Sequence, residues 1–419
     1  MGRLSVSIGA LLLLLGGNVC ATSAAPGPRI VIHAGHLFAE PGKPATTNQS
    51  IVVEDGKIVA IRDGFVPGDN VIDLKGSWVM PGLIDMHTHV TGVLDLDQPI
   101  QGPFLHAYLG RPSQLVLDML PRLKALLMNG FTTVRNLGDP SSTTYDLRDA
   151  IEKGYVLGPR MVAIEPQISV DGGDYDASKW GVRLDLEKYV NNRGNCSGVV
   201  ECTKVVRLEV NRGADVIKLR QSSAALDPKV EMVESEAEIK AIIDTAHRLD
   251  RRVAVHVIGT PAFLHMVIGA GADTIEHGPL DDESIAMMKE RGTAYTPTLL
   301  AAKLVNYRYN DAVEGTGKAY RAGVPIIFGT DLGIFGPERS HEEFALLASA
   351  GLPPEQVLRA ATLNAAIALG REDSLGSIAP GKIADVIAME TDPTAHIEQL
   401  GAPGKVSFVM KEGQVVTGR

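Results

Sequence analysis

The sequence predicts an α/β protein: a closed (β/α)8 TIM barrel carrying a small β-domain assembled from both ends of the chain. Three observations lead there. Between residues 81 and 370, apolar strand-like runs alternate with helix-period stretches, the pattern of a parallel sheet. Eight such runs can be counted, the number of a barrel. The flanking segments, 26–80 and 371–419, read instead as strands and turns.

With 419 residues, 45% of them hydrophobic and 21% charged, the chain can bury a barrel of roughly 250 residues and a smaller second unit. Its formal charge of −10, with no basic run, excludes nucleic acid as a partner. Residues 1–25 carry one arginine, an apolar run through Leu15 and then small residues, the order of a secretory signal. Cleavage after Ala25, or earlier after Ala21, suits the small-residue rule. Gly17, Asn18 and Val19 make a poor acylation site ahead of Cys20. The apolar run is too short to span a bilayer, and no later stretch reaches that length. The mature chain is therefore expected to be exported, periplasmic or secreted, without a stable membrane anchor. Processing leaves Cys196 and Cys202, and CSGVVEC is long enough to close a small loop by a disulfide. A regular helix starting there would hold the two nearly two turns apart and forbid it.

Along the chain, RIVIHAGHLF, SIVVEDGKIVAI and NVIDLKGSWVM alternate as strands, and the EDGK turn between two β-branched runs marks a hairpin. The barrel strands are GLIDMHTH, FTTVRNL, RMVAIEP, ADVIKL, RVAVHV, TIEHG, AYTPTL and PIIFGTD. Helical periods lie between several of them, as in SQLVLDMLPRLKALLMNG and SEAEIKAIIDTAHRLD. A doubly wound open sheet is the alternative, but no G-x-G-x-x-G follows any strand. DSLGSIAPGKIADVIAM and KVSFVMKEGQVV return to strands, with a turn at Lys411, Glu412 and Gly413.

The chemistry collects at the strand ends. In PGLIDMHTHV, Pro81 to Val90, strand alternation points His87 and His89 to one face. The fourth strand carries Lys218, the fifth His256, the sixth His277 and the eighth Asp331. Each lies near a C-terminal strand end, where barrel enzymes keep their sites. Imidazoles and a carboxylate there suit one or two borderline metals, with zinc as the default. Single histidines such as His256 or His277 also serve as hydrogen-bonded core residues, and Asp331 also fits a helix cap. Lys218 is sharper: Val216, Ile217 and Leu219 surround it, so its amine must be neutral, paired or chemically modified.

The motifs PGLIDMHTHV, TTVRNLG, GADVIKL, RVAVHVIGTP, ADTIEHG, IIFGTD, AATLNAAIALG and LGSIAPGKIADVIAM occur in order over nearly the whole mature chain. In them the sequence resembles the metal-dependent amidohydrolase superfamily, and within it the imidazolonepropionase-like branch of Xaa-Pro and Xaa-Arg dipeptidases and ochratoxinase-type amidases. The resemblance implies a barrel with a composite β-sandwich (26–80 with 371–419) and a two-metal centre. By position, His87, His89 and Asp331 would hold the more buried ion and His256 and His277 the other. Lys218, carbamylated on its amine, would bridge them. A bridging hydroxide would attack the scissile carbonyl, with Asp331 taking its proton and passing it to the leaving amine. The resemblance also implies a homo-oligomer.

Three departures bear on the substrate. The branch's T-G-G-H-G-D stretch reads DGGDYD here, so Asp174 stands where that histidine would polarise the substrate carbonyl. Its H-x-H-G becomes HVIG, with Ile258 for the second histidine. Its carboxylate-binding tyrosine has no counterpart around Pro228 to Ser235. Specificity must then come from other groups. Arg220, on the Lys218 face of its strand, suits a carboxylate by its planar fork or is a solvated loop residue. Tyr307 belongs to a possible lid, and His341 is a further candidate substrate contact. Arg135 reads as an ion-pair residue inside the barrel. His33, His36, His106, His247, His265 and His396 read as structural or surface.

The sequence-level expectation is hydrolysis of an amide next to an amino-acid carboxylate, in a dipeptide or an N-acyl amino acid. Lactone, ester or phosphotriester hydrolysis would use the same centre, since the pocket decides. A mononuclear deaminase or ring amidohydrolase is opposed by Lys218, which such relatives usually lack. A non-enzymatic scaffold would have no use for six convergent ligands.

Overall fold

A computed structural model describes residues 29–92, 111–139, 143–174, 176–177, 182–190, 192–221 and 232–418. The expected signal at 1–25, Cys20, His106 and residues 228–231 lie outside them.

Four strands open the chain: β1 (Ile30–Leu37), β2 (Thr46–Glu54), β3 (Lys57–Asp63) and β4 (Asn70–Pro81). The predicted hairpin joins β2 to β3, with Glu54 opposite Lys57. Asp55 and Gly56 take φ of 48° and 76°, the left-handed pair that a two-residue hairpin turn requires.

Next come β5 (Leu83–Thr88), β6 (Phe131–Leu137) and β7 (Arg160–Ile164), which form one parallel three-stranded sheet. All three are buried along their whole length, as strands covered on both faces must be. A two-stranded insert follows, β8 (Ser169–Val170) with β9 (Asn195–Cys196). The second parallel sheet holds β10 (Val216–Arg220), β11 (Arg252–Val257), β12 (Thr274–His277) and β13 (Ala294–Thr296) in that order. Isolated parallel bridges join Ile168 to Leu219, Tyr295 to Ile326 and Thr88 to Leu332.

Seven of the eight predicted barrel runs form regular strands. The eighth, PIIFGTD, is extended but forms no regular strand. Its Ile327 N–H reaches the Tyr295 carbonyl at 2.9 Å, and its Phe328 carbonyl accepts from Met86 N–H at 2.9 Å. Gly329 explains part of this. A Cβ there would meet Thr296 Cγ2 at 2.4 Å and His87 Cβ at 2.9 Å, so the backbone approaches too closely for any side chain.

The longer helices between the strands bury one apolar stripe. The helix Glu236–Arg248 buries Ile239, Ile242, Ile243 and Ala246, a 3.6-residue spacing, and starts with a reciprocal capping box between Ser235 and Glu238. At the end of the chain, β14 (Val386–Met389), β15 (Val406–Lys411) and β16 (Gln414–Thr417) join the first four strands in one seven-stranded sheet. Its order, β16-β15-β14-β4-β1-β2-β3, sets β14 from the C-terminal end against β4 from the N-terminal end. Ile32, Ile51 and Val79 share one buried cluster with Val386, Phe408 and Met410, so both ends of the chain supply its core.

Cys196 and Cys202 form a disulfide, with Cα atoms 5.0 Å apart. The geometry is possible because Cys196 belongs to β9 and only Cys202 sits in the following helix, Gly198–Arg212. A free-thiol count on denatured, unreduced protein is expected to find neither cysteine reactive. Reduction is expected to lower stability by about 2 kcal/mol for so short a loop, read as a fall in Tm. Two reactive thiols would refute the pairing.

Candidate metal centre

Strand alternation does the first part of the assembly. In β5, Asp85 and His87 face inward while Ile84 and Met86 join an apolar cluster with Ile327 and Ala365. Asp85 accepts hydrogen bonds from His87 N–H at 3.1 Å, Thr330 N–H at 3.1 Å and Thr330 Oγ1 at 2.6 Å. It thereby ties β5 to the segment that carries Asp331. Burial pushes its pKa up to about 7, against the pull of those donors.

The second part depends on two residues that break the strand rule. His277 and Asp331 have φ of 62° and 60°, rare for side-chain-bearing residues. In β12, Thr274 and Glu276 both meet Arg135 in the interior, so a regular strand would send His277 outward. The left-handed turn at His277 returns its ring to within 4.9 Å of the His87 ring and 4.8 Å of the His256 ring. At the other break, Asp331 N–H donates to the His87 carbonyl at 2.8 Å.

All six predicted ligands converge. Asp331 Oδ1 lies 3.5 Å from His87 Nε2 and 3.4 Å from His89 Nε2, and its Oδ2 lies 3.9 Å from His277 Nε2. Lys218 Nζ is 3.2 Å from His87 Nε2. The donor atoms of His87, His89 and Asp331 all fall within 4.8 Å of one another, a spacing one metal ion can bridge.

Divalent metal fits this donor set, because three of its four imidazoles are oriented from behind. His87 Nδ1 bonds Glu276 Oε2 at 2.9 Å, His89 Nδ1 bonds the Gly138 carbonyl at 2.5 Å, and His277 Nδ1 bonds Thr298 Oγ1. With Nδ1 as donor, each Nε2 keeps a lone pair aimed at the shared space. Burial holds three of the four rings neutral, His87 pushed down to about 3, His277 to about 4, and His256 well below the usual value. Lys218, 1% exposed, is pushed down to about 7 by burial, only partly offset by Glu276 and Asp331.

The centre opens into a cavity of about 420 Å³ that His89, His256, His277 and Asp331 border. Pro279, Pro297, Ala301, Ala302, Val305 and Ile334 form an apolar wall. Arg220 lines the cavity and pairs with Asp174, Nη2 to Oδ2 at 3.3 Å. The expected substrate contacts thus divide. Arg220 and Tyr307 border the cavity, Asp174 reaches it through Arg220, and His341 is absent from its described lining. His341 instead bonds the Glu338 carbonyl at 2.9 Å, just before the helix Glu342–Ser349.

The remaining histidines have ordinary partners. His33 bonds the Val66 carbonyl, His36 stacks on Trp78, and His247, His265 and His396 face Asp273, Asp281 and Glu398. Arg135 is the expected interior ion-pair residue, 2.7 Å from Glu276 Oε1. Sequence reasoning missed Glu276 itself. Its position beside His277 in TIEHG was visible, but strand alternation admits only one of two neighbours to the interior.

The family model described as "Amidohydrolase family" matches residues 78–416. Ochratoxinase from Aspergillus niger is 28% identical over 427 residues, spanning 93% of this chain and 86% of that protein. Imidazolonepropionase from Caldanaerobacter subterraneus subsp. tengcongensis is 26% identical over 380 residues, spanning 82% of this chain and 84% of that one. The crystal structure of a Xaa-Pro dipeptidase with bound methionine in its active site matches with a TM-score of 0.82 at 30% identity, over 93% of this chain and 100% of that one. The chain belongs to the amidohydrolase family, in the branch that holds these relatives, and is a hydrolase acting on amide bonds.

Proposed function

We propose that the chain is a binuclear metal-dependent amidohydrolase that cleaves the amide beside an amino-acid carboxylate, in a dipeptide or an N-acyl amino acid. The observation that carries this reading is the convergence of His89, His256, His277 and Asp331 on the wall of one cavity, with His87 and Lys218 packed directly behind them. His87, His89 and Asp331 would hold one divalent ion, zinc by the default of its ligand types, and His256 and His277 the second. Bound there, the ions would polarise the scissile carbonyl and make a water molecule acidic enough to attack it near neutral pH.

Lys218 has a defined part. Burial keeps a share of its amine unprotonated near neutrality. That nitrogen would attack the carbon of carbon dioxide with loss of one proton, and the resulting carbamate anion would supply a ligand for both ions. The charge problem of a buried lysine is thereby inverted into a ligand. Asp331 is the proton carrier: its carboxylate accepts the proton of the attacking water and returns it to the leaving amine. Arg220, which borders the cavity beside Asp174, would orient the substrate carboxylate through its planar fork. The apolar wall from Pro297 to Val305 would accept a hydrocarbon side chain.

We further infer that the strand sheets and their bridges close as a barrel over 81–370, and that the two-ended sheet folds over its shared core as the composite sandwich. Export after removal of residues 1–25, and assembly as a homo-oligomer, belong to the same proposal.

Lys218→Ala is expected to lower kcat/KM by on the order of a thousandfold, with partial rescue by short carboxylic acids that stand in for the carbamate. Unchanged turnover in that variant would sink the bridging role. Glu276→Gln is expected to weaken metal binding by about 10–100-fold, measured by competition with a chelator, because His87 exchanges a charged carboxylate acceptor, itself paired with Arg135, for a neutral amide.

A further inference from the structure

Two buried acceptors in the cavity wall are not used by any step above. Asp139, 4% exposed, follows β6, and Gln167, 8% exposed, follows β7. Both border the cavity that His89, His256, His277 and Asp331 share. Asp139 Oδ2 is engaged by Asn136 Nδ2 at 2.6 Å and by Thr144 Oγ1 at 3.4 Å. Its Oδ1 has no hydrogen-bond partner among the described residues, and neither has Gln167 Oε1.

Their backbones are fixed. Asp139 N–H donates to the Glu165 carbonyl at 2.6 Å, and the Gln167 carbonyl accepts from Asn192 Nδ2 at 2.7 Å. The Ile168–Leu219 bridge sets the register, so Gln167 shares the inward face of Lys218 rather than the core face of Ile168. Asp139 Oδ1 lies beside the turn that follows His89: a Cβ on Gly92 would stand 3.7 Å from His89 Cβ and 3.9 Å from this oxygen. Both acceptors therefore border the metal centre rather than the outer rim.

A buried carboxylate oxygen and an amide oxygen, each lacking a donor, call for a donor of positive charge. The cavity's own cations are otherwise engaged, Arg220 with Asp174 and Arg308 with Asp311. Resting on the amide-hydrolase reading above, we propose that Asp139 and Gln167 bind the α-ammonium of the substrate, which makes the preferred substrate a dipeptide with a free amino terminus and not an N-acyl amino acid. The geometry of a peptide suits this. Its α-nitrogen lies only about 2.5 Å from the scissile carbonyl carbon, so an ammonium site must border the ligands that act on that carbonyl. An N-acyl substrate presents hydrocarbon there and leaves Asp139 Oδ1 buried without a donor.

The test compares matched pairs on the metal-loaded full chain. A panel of dipeptides with apolar side chains, such as Leu-Leu, is assayed against the des-amino analogues, such as 4-methylpentanoyl-Leu. The dipeptide member is expected to have the higher kcat/KM by about 10–100-fold, the range of a hydrogen bond to a charged group. Asp139→Asn and, separately, Gln167→Leu are expected to bring that ratio towards one by slowing the dipeptide. Gln167→Leu leaves the Asn136 and Thr144 contacts of Asp139 intact, so the test survives if Asp139→Asn does not fold. Wild-type ratios at or below one across the panel overturn the proposal, as does a ratio that neither substitution changes. Cleavage of the des-amino members alone overturns it while sparing the amide-hydrolase reading. Cleavage of neither member in any pair brings down both.

Discussion

The site depends on one buried chain of charge. Arg135 crosses the interior to Glu276, and Glu276 holds the back of the His87 ring. All three side chains are at most 1% exposed. Burial alone would raise the Glu276 carboxyl, but Arg135 and then His87 overcome this and keep it ionised. Such a triad is a costly way to gain stability, since three polar groups leave water for a few hydrogen bonds. What it supplies is orientation. Arg135 also reaches the Met86 carbonyl and Thr274 Oγ1, so it fixes β5 and β12, on opposite sides of the site, to one point. A histidine held by a carboxylate that is itself held by a guanidinium has little freedom to turn its Nε2 away from the centre.

Around that fixed ring the backbone is bent, and the bends are functional. His277 and Asp331 occupy the left-handed region without the licence glycine has there. Each is compensated locally, His277 by Thr298 Oγ1 and Asp331 by its N–H bond to the His87 carbonyl. The conformational cost of these two residues is offset by contacts that also place their side chains. One consequence is that Glu276 and His277, neighbours in sequence, act on the same ring from two sides.

This explains what the sequence could and could not disclose. The hairpin at Asp55 and Gly56 was legible because turn chemistry is local, and the six candidate ligand positions could be grouped because each lies at or near the end of an apolar run. Arg135 could be placed inside because a cation in a buried strand needs a partner. Glu276 could not be assigned, since alternation forces a choice between it and His277, and only the left-handed φ removes that choice. The eighth run was read as a strand and forms no regular strand, because the crowding at Gly329 comes from Thr296 and His87, which are distant in sequence. His341 stands outside the described cavity lining for a related reason. Proximity to Asp331 in sequence says nothing of direction once the chain has turned into a helix.

The insert between β7 and β10 connects the disulfide to specificity. Val170 pairs with Cys196, Asp171 N–H donates to the Cys196 carbonyl at 3.3 Å, and Ser197 Oγ donates to Asp171 Oδ2 at 2.7 Å. Three residues beyond Asp171, on the same loop, Asp174 meets Arg220 in the cavity wall. The loop that departs from the family's usual stretch is thus held at its base by a covalent clip. A guanidinium paired with one carboxylate can still offer a second edge to another, provided the first partner stays in place. Fixing Asp174 through Cys196 therefore does for Arg220 what Glu276 does for His87. His87 and Arg220 each meet a carboxylate, Glu276 and Asp174, and Glu276 is the one of the two that sequence alone left unassigned.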